Sequence, residues 1–578
     1  MQQFGPPWLT VETGLYLLLI LLALLLRLYA LGRQPLDEHE SRLAIDVWRF
    51  YTGGAANIRG HSPLLFHGNL LLYLLFGAND YVARMIPALV GSLLVGLPYL
   101  LRPYLGRWGA LVTAVLLAFS PSFVFFSRQL DSAIILSATS LALLTSIFGY
   151  LRQGKRSHLY LAAGALAISL MAGGASYAVL IAVGGLLLTL TVRAGLKPAP
   201  TGHDLRSGAF ETRPYRQIWL TAAGIFAALI LLVSTGLFVN LQGLQATLDL
   251  LPAWLSHFSP VVEGQPWHYY LSLLVAYELP ILVFGLIGAF YFARRDRFSA
   301  FLIWWFALTL ILYSLMPTKP PSGLLQILLP LTLLAGRTIG ELLDRIAQGE
   351  RRLWDGLALL ISLPIIFHML LQLSAFANPD SPGDPRYLIL VILSLFFLVS
   401  VILITGAMAL DWRGSLRTAG LVVLVILAAL MLQATWRLVL HRPGNPVELL
   451  VNEPTSPDVR NLVSAIEDFS NQRERDRHSV DITVTGGEDT LLAWYLRDFR
   501  HLSFVSGSPL SLTPVVITPS REAQSLPNYR GARFRVQSSW TGGDLPAHDL
   551  ANWFLFRESL YPSTYRDVVM WVGPETER

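Results

Sequence analysis

The sequence "GLYLLLILLALLLRLYALG" at residues 14–32 is followed directly by "RQPLDEHES" at residues 33–41, so an apolar run ends beside a group of acids. The apolar run has the length of about 20 residues that a helix needs to cross the hydrocarbon core of a bilayer. No Lys or Arg precedes it, and no small-residue cleavage pattern follows it. We therefore expect a retained transmembrane anchor rather than a cleaved signal peptide.

Composition extends this interpretation to the whole chain. Of the 578 residues, 53% are hydrophobic and only 14% are charged, with a mean hydropathy of +0.52. Soluble domains carry about 25% charged residues. The apolar runs are continuous rather than alternating, which indicates helices and not a β-barrel. The sequence predicts a polytopic α-helical membrane protein, and the absence of cysteine excludes disulfides and thiolate metal sites.

The apolar runs predict about thirteen transmembrane helices. They lie near residues 12–32, 82–101, 107–127, 132–151, 158–172, 176–194, 217–239, 267–293, 299–316, 322–341, 353–375, 386–409 and 417–440. A further apolar segment, residues 62–77, is too short to span well and is expected to be an interfacial or re-entrant helix.

Basic residues predict the orientation of these spans. Lys and Arg concentrate in alternate loops, around residues 102–107, 152–156, 193–216, 294–297 and 337–352. The positive-inside rule places these loops and the N-terminus in the cytoplasm. The first loop on the other side, residues 33–81, is more basic than this rule expects. The net charge of +5 lies in loops and indicates topology, not nucleic-acid binding.

Thirteen spans with a cytoplasmic N-terminus put residues 441–578 outside the cell membrane. We therefore expect two domains, a transmembrane domain over residues 1–440 and a soluble extracytoplasmic domain over residues 441–578. In the second, "VDITVTG", "HLSFVS", "PVVITPS", "ARFRVQS" and "DVVMWVG" predict strands, whereas "SPDVRNLVSAIEDFSNQR" and "DTLLAWYLRDF" predict helices. This pattern is typical of a small α/β domain.

Asp37 and Glu38 stand together at the predicted membrane boundary. Paired carboxylates suit general-base chemistry or the binding of a metal ion. An acidic pair after a span is also often only part of a solvated loop. We favour the functional interpretation because the pair lies in the first outer loop, where a substrate carried by a lipid would be met.

Asp131 and Arg128 lie in "FSRQLDSAIIL", at the outer mouth of the fourth predicted span. Asp131 is either a helix N-cap or a second acid of a site. Arg128 places a cation in the same turn. Lys319, in "YSLMPTKPPSG", either extends to the membrane interface or, because three prolines stiffen its loop, is a fixed cation for a phosphate.

His61, His268, Tyr269 and Glu278 are weaker candidates for contacts with a substrate. A His or Tyr at a membrane boundary is commonly an aromatic-belt residue. Glu278 lies about ten residues into a predicted span, and carboxylates inside membranes are expensive and usually functional. If that span begins later, Glu278 is interfacial.

Several of these motifs resemble those of the GT-C membrane glycosyltransferases, in particular the protein O-mannosyltransferases and the lipid A aminoarabinose transferases. "PLDEHESRLA" resembles the Asp-Glu motif of their first outer loop, and "GHSPLLFHGNLLLYLLFG" and "SPSFVFFSRQLDSAIIL" resemble the segments that follow. "GQPWHYYLSLLVAYELP", "YSLMPTKPPSGLLQILLPLTLLAG", "NPVELLVNEPTSPDV" and "LLAWYLRDF" are similar to a branch known as flippase-activity-associated proteins. The resemblance covers nearly the whole chain.

The resemblance implies an inverting glycosyltransferase that moves a sugar from a polyprenyl-phosphate donor to a glycan, lipid or protein acceptor on the outer face of the membrane. It implies Asp37 as general base, Glu38 as its assistant and Asp131 as a second acid. Lys319 and Arg128 would hold the donor phosphate. The relatives are expected to need no metal, although two acids and a phosphate could bind a divalent cation.

Two other functions are compatible with the sequence. The first is a flippase or transporter component that handles the same lipid-linked sugar without chemistry. The second is an ion-coupled secondary transporter, which predicts inverted repeats and acids at mid-membrane. No internal repeat is visible, and the acids lie at the outer rim.

Overall fold

The computed structural model of the protein describes most of the chain. The described residues are 10–54, 57–195, 212–261, 264–348, 352–376, 384–408, 412–507, 513–520, 526, 528–540, 547–559 and 562–573.

Twenty-three α-helices and five strands make up the described part of the chain. The helices are α1 Val11–Leu28, α2 Glu38–Tyr51, α3 Pro63–Phe76, α4 Asp80–Ala83, α5 Met85–Leu94, α6 Arg102–Leu105, α7 Arg107–Phe119, α8 Pro121–Ser127, α9 Ala133–Gln153, α10 Arg156–Ala172, α11 Ser176–Gly195, α12 Thr212–Ser234, α13 Gln242–Ser256, α14 Tyr269–Tyr277, α15 Leu279–Phe292, α16 Arg297–Leu315, α17 Leu324–Gln348, α18 Arg352–Phe376, α19 Pro385–Met408, α20 Trp412–Trp436, α21 Asp458–Glu474, α22 Thr490–Tyr495 and α23 Ala547–Phe556. The strands are β1 Ile482–Thr485, β2 Leu502–Val505, β3 Val515–Pro519, β4 Arg530–Ser539 and β5 Thr564–Val572.

The helices form a membrane bundle, but the predicted count of thirteen spans is not confirmed. Within the described residues nine helices are long and apolar enough to cross a membrane, or eleven if each of two sharply bent pairs is one span. The predicted span 267–293 is α14 and α15, which meet at an angle of 110°. The predicted span 158–172 is α10, of only 17 residues. The short apolar segment at 62–77 forms α3, of 14 residues.

The two bent pairs, α7–α8 and α14–α15, contact each other at their bends. Proline stands at the start of the second helix of each pair, where a missing N–H interrupts the preceding helix. Glu278 lies between α14 and α15 and is fully buried. Its Oε1 accepts a hydrogen bond from the Ser120 hydroxyl at 2.6 Å and from the Ser122 N–H at 2.9 Å, beside the other bend. Glu278 therefore links the two helix bends inside the bundle.

Helix α17 lies at the centre of the bundle, with residues 324–336 continuously buried. It packs closely against α7 because Gly336 and Gly340 stand one turn apart on the contact face. A side chain at Gly340 would collide with the backbone of Gly109 in α7. Small residues spaced in this way let membrane helices approach each other closely.

The C-terminal residues form a five-stranded mixed sheet in the order β2-β1-β3-β5-β4. β1 is parallel to β2 and to β3, and β5 is antiparallel to β3 and to β4. All five strands and the helices α21 and α22 coincide with segments that the sequence predicts, whereas α23 was not predicted. The expected α/β architecture is thus confirmed, although the domain boundary at residue 441 stays a prediction.

Asp80, at the start of α4, connects the sheet region to the bundle. Its carboxylate accepts hydrogen bonds from the Arg460 guanidinium at 2.7 Å, the Trp494 indole at 2.9 Å and the Tyr495 hydroxyl at 3.2 Å. The Tyr495 hydroxyl in turn accepts from the Leu36 N–H at 2.7 Å. These contacts fix α21 and α22 against the loop that follows α1.

Replacing Asp80 should weaken the attachment of α21 and α22 to the membrane bundle. We expect Asp80→Ala to accelerate amide hydrogen exchange in α21 and α22, because the Trp494 indole and the Tyr495 hydroxyl lose their acceptor at a cost of about 1–3 kcal/mol each. Hydrogen-exchange mass spectrometry of the detergent-solubilised protein measures this. Asp468→Ala, on the exposed face of α21, is the matched control. Equal exchange in both variants and the wild type would refute the role of Asp80.

Candidate functional site

The site begins at the turn between α1 and α2. Asp37 caps α2: its Oδ1 accepts the Glu40 N–H at 2.8 Å, and the Glu40 carboxylate accepts the Asp37 N–H at 3.0 Å. This reciprocal arrangement is a capping box, formed by an acid at the cap and Glu three residues later. It fixes the backbone of the acidic motif where the chain leaves α1.

A buried ion pair between Glu40 and Arg84 also stabilises this turn. Glu40 and Arg84 are 2% and 1% exposed. The Arg84 Nε donates to Glu40 Oε1 at 2.7 Å, and its Nη2 donates to the other oxygen. Arg84 also donates to the carbonyls of Gln34 at 2.7 Å and Pro35 at 3.1 Å. The Leu130 N–H completes the pair by donating to Glu40 Oε1 at 2.6 Å.

Burial and the neighbouring Glu40 carboxylate raise the pKa of Asp37 to about 7. Both effects penalise the charged form of the carboxyl group. Within the described residues the second oxygen of Asp37, Oδ2, makes no hydrogen bond. Asp37 therefore has one oxygen held by the helix and one free to take a proton near neutral pH.

Arg128 and Asp131 lie directly beside this turn. The Arg128 Nη1 donates to the carbonyls of Leu26 and Arg27 at 2.9 Å and of Tyr29 at 2.8 Å, so the guanidinium caps the C-terminal end of α1. Asp131 Oδ1 accepts the Ala133 N–H at 2.8 Å at the start of α9. Both residues have structural contacts, as the alternative interpretation of Asp131 expected, and both also line the cavity described next.

A cavity of about 590 Å³ opens beside Asp37, a volume typical of sites for small organic ligands. Its polar wall includes Asp37, Glu38, Arg128 and Asp131. Its lining also includes apolar side chains, those of Phe125, Phe126, Leu438, Val439 and Leu450. A smaller cavity of about 270 Å³ adjoins it and shares His39, Arg42, Asp131 and His257. The arrangement suits a molecule with a polar head and a hydrocarbon chain.

Glu38 faces the sheet region as well as the cavity. It lies 3.7 Å from Arg42 in an exposed ion pair, which contributes little by itself. The Gln537 amide donates to Glu38 Oε2 at 3.3 Å from strand β4. The C-terminal sheet thus contributes a direct contact to the acid pair.

Lys319 lies apart from the cavity. It is 4% exposed, and its ammonium donates to the Gln265 carbonyl at 3.0 Å and to the Met316 carbonyl. Its prolines Pro320 and Pro321 line the cavity, but the Lys319 side chain does not. The Lys319 ammonium is bound by the Met316 carbonyl of its own loop and by the Gln265 carbonyl of the loop that precedes α14. Its role as a contact of a phosphate stays a prediction.

The four weaker candidates for substrate contacts lie in different parts of the structure. His61 lines the smaller cavity and pairs with Asp46 at 2.8 Å. His268 is exposed at the start of α14, and Tyr269 is half-buried beside it. Glu278 lies at the helix bends and lines none of the described cavities. Of the four, only His61 is brought near the acid motif, and a role for any of them stays a prediction.

Sequence reasoning missed Glu40, Arg84 and Gln537. The pattern Asp-x-x-Glu before an apolar helix is a capping-box signal and could have indicated Glu40. The partners Arg84 and Gln537 lie 44 and 499 residues away from the acids that they contact, and no local pattern could have indicated them.

Metal-ligating side chains do not cluster in the described part of the chain. Among those residues no three His, Cys, Asp or Glu side chains come together as a metal site. A divalent cation shared between the acid pair and a donor phosphate stays a prediction.

Comparisons with known proteins agree with this architecture. A family model described as dolichyl-phosphate-mannose-protein mannosyltransferase matches residues 60–197. An undecaprenyl phosphate-alpha-4-amino-4-deoxy-L-arabinose arabinosyl transferase 1 from Pseudomonas fluorescens Pf-5 is 37% identical over 134 residues, which are 22% of this chain and 24% of that protein. The chain thus matches about a quarter of the length of this curated relative.

Two solved structures share the fold over nearly the whole chain. The crystal structure of ArnT from Cupriavidus metallidurans bound to undecaprenyl phosphate has a TM-score of 0.54 and 14% identity, covering 88% of this chain and 94% of that chain. The structure of the same protein in the apo state has a TM-score of 0.54 and 14% identity, covering 97% and 98%. The chain therefore has the fold of these two structures.

Proposed function

We propose that the protein is a membrane glycosyltransferase that moves a sugar from a polyprenyl-phosphate donor to an acceptor. The observation that carries this proposal is the cavity of about 590 Å³, which is lined both by the acids Asp37, Glu38 and Asp131 and by apolar side chains. The fold shared with a structure described as bound to undecaprenyl phosphate supports it, as does the local similarity to an arabinosyl transferase.

The polar and apolar lining residues of the cavity match the two parts of such a donor. Phe125, Phe126, Leu438 and Val439 offer an apolar surface to the first isoprene units. Arg128 lines the same cavity and offers its guanidinium edge to the phosphate, which a planar, permanently charged group recognises well. The sugar then lies between the phosphate and the acids.

Asp37 is the general base in this proposal. It takes the proton of the acceptor hydroxyl while the hydroxyl oxygen forms a bond to the anomeric carbon of the sugar. The bond from that carbon to the phosphate oxygen breaks, and polyprenyl phosphate leaves with the electron pair. Glu38 orients the acceptor, and Arg128 stabilises the charge on the leaving phosphate. Attack opposite the leaving group inverts the anomeric configuration.

The site operates on the outer face of the cell membrane in this proposal. The C-terminal sheet and the loop at residues 33–81 lie on the same side of the bundle, since Asp80 contacts Arg460 and Leu36 contacts Tyr495. The arginine-rich loops lie on the other side in the predicted topology, which the positive-inside rule assigns to the cytoplasm.

The raised pKa of Asp37 predicts a distinct pH dependence. A base must be deprotonated to act, so a pKa of about 7 makes kcat/KM fall as the pH drops through about 7. An ordinary aspartate would instead keep its activity down to a pH of about 4. A pH–rate profile of the purified protein measures this. A profile that is flat from about pH 8 to about pH 5 would contradict Asp37 as the titrating base.

Label transfer tests the proposed function. The purified protein is incubated with radiolabelled polyprenyl-phosphate hexoses and pentoses and with a membrane extract as the source of acceptor. We expect label in a new product. Lipid that binds without any transfer, across several sugars, would overturn the proposal in favour of a lipid-handling component of a flippase. The Asp46→Asn variant removes the carboxylate that pairs with His61, a residue that lines the smaller cavity. Its rate of label transfer shows whether that cavity takes part in the reaction.

A further inference from the structure

A second polar cleft, of about 190 Å³, lies between the C-terminal sheet and α2. It opens at the carboxyl ends of β1 and β3. In the order β2-β1-β3 the chain goes from β1 to β2 on one side, and then crosses from β2 to β3 on the other side of β1. Ligands of open α/β sheets bind in the crevice at such a point.

The charges that line the cleft indicate the class of ligand. Three carboxylates, those of Glu38, Glu488 and Asp489, stand beside two guanidinium groups, those of Arg42 and Arg566. The Glu488 carboxylate is also paired with Arg49 at 2.5 Å, so each carboxylate at the cleft has a cationic partner and no cation is left over for a phosphate. These carboxylate and guanidinium groups instead accept from and donate to the hydroxyls of a neutral sugar.

One hydroxyl in the cleft has no partner. The Thr490 Oγ1 is buried and makes no hydrogen bond with any described residue. A buried hydroxyl without a partner costs free energy, so its presence in the wall of a cleft points to a ligand that satisfies it. The adjoining residues Gly486 and Gly487 have φ values of 90° and 94°, which favour glycine, and they leave the cleft floor without side chains.

The cleft is connected to the acid pair by hydrogen bonds. Asp489 pairs with Arg566, whose Nη1 donates to the side-chain oxygen Oε1 of Gln537 at 2.6 Å. The Gln537 amide nitrogen then donates to Glu38 Oε2 at 3.3 Å. Glu38 and Arg42 line both this cleft and the large cavity. A molecule held in the cleft therefore lies directly beside the proposed reaction centre.

We propose that this cleft binds a neutral sugar unit of the acceptor, with Thr490 as a hydrogen-bonding contact. The assignment of the sugar to an acceptor rests on the proposed function, whereas its binding in the cleft does not. The acceptor is then a carbohydrate-bearing molecule, and the C-terminal sheet selects it while the membrane cavity holds the lipid donor.

Saturation-transfer NMR tests the proposal with the full chain in detergent micelles. The probes are methyl α-mannopyranoside and methyl β-glucopyranoside, with glucose 6-phosphate as the charged comparison. We expect signals from the neutral glycosides with wild type and with Thr490→Ser, and a loss of about 3- to 10-fold in affinity with Thr490→Val, which removes one hydrogen bond. Thr564→Val, at an exposed threonine of β5 outside the cleft, is the matched control.

Equal signals from wild type and Thr490→Val would overturn the proposal, as would the absence of any glycoside signal with wild type. A stronger signal from glucose 6-phosphate than from the neutral glycosides would overturn the charge assignment. The Asp37→Asn variant should keep the glycoside signal. If it does so while wild type transfers no sugar, the cleft binds carbohydrate and only the proposed reaction fails.

Discussion

The Asp37→Asn variant is expected to lose a factor of roughly 10² to 10⁴ in kcat, the contribution that a positioned general base makes to a proton-transfer step. Asparagine has almost the same shape as aspartate and is an equally good N-cap, so the start of α2 is preserved. It cannot take a proton from the acceptor hydroxyl. The variant should therefore fold, bind donor and fail in turnover.

Two measurements separate this effect from damage to the fold. The thermal stability of Asp37→Asn should equal that of wild type, and donor retained after purification should be unchanged. Asp468→Asn, at an exposed acid of α21, should keep full turnover. Wild-type turnover by Asp37→Asn would remove Asp37 from the mechanism.

The Glu40→Gln variant is expected to have the largest effect on stability. Glu40 and Arg84 form a buried ion pair, and removal of one charge leaves the other buried without compensation. Such changes lower the free energy of unfolding by about 3–5 kcal/mol. The loss is expected here because the Glu40 carboxylate also accepts the N–H groups of Asp37 and Leu130. The apparent melting temperature in detergent measures the effect.

Glu38→Gln is the matched control for this prediction. The same substitution two residues earlier in α2 removes an ion pair at 3.7 Å, whose side chains are 58% and 42% exposed, and leaves an amide oxygen that can still accept from Gln537. Exposed pairs contribute about 0–1 kcal/mol. If both variants melt at the same temperature, the buried pair does not hold the acidic turn as we infer.

The sequence predicted those features that depend on local patterns. The five strands of the C-terminal sheet follow from short β-branched runs between turn residues, and all five are present. The grouping of Asp37, Glu38, Arg128 and Asp131 around one cavity also agrees with their predicted place at the ends of neighbouring spans. Strand pattern is a local property and was sufficient for the sheet, whereas the count of thirteen spans from apolar length is not confirmed and the orientation from charge position stays a prediction.

Other features depend on tertiary contacts and could not be predicted. The span at 267–293 has the hydropathy of one helix, but the chain bends by 110° at Glu278, where buried serine donors compensate the carboxylate. The prolines beside Lys319 indicated a fixed side chain but not its partners: the ammonium donates to the carbonyls of Met316 and of Gln265, 54 residues earlier, and does not line the cavity. Gln537 reaches Glu38 across 499 residues of sequence.

The most direct test of the account is a single-turnover measurement on donor-loaded protein. Wild type and Asp37→Asn are loaded with the same radiolabelled polyprenyl-phosphate sugar and mixed with acceptor extract, and released polyprenyl phosphate is quantified by mass spectrometry. We predict that wild type releases polyprenyl phosphate and forms a labelled product while Asp37→Asn keeps its donor intact. Equal release by the two proteins, or intact donor in both, would contradict the assignment of glycosyl transfer to this cavity.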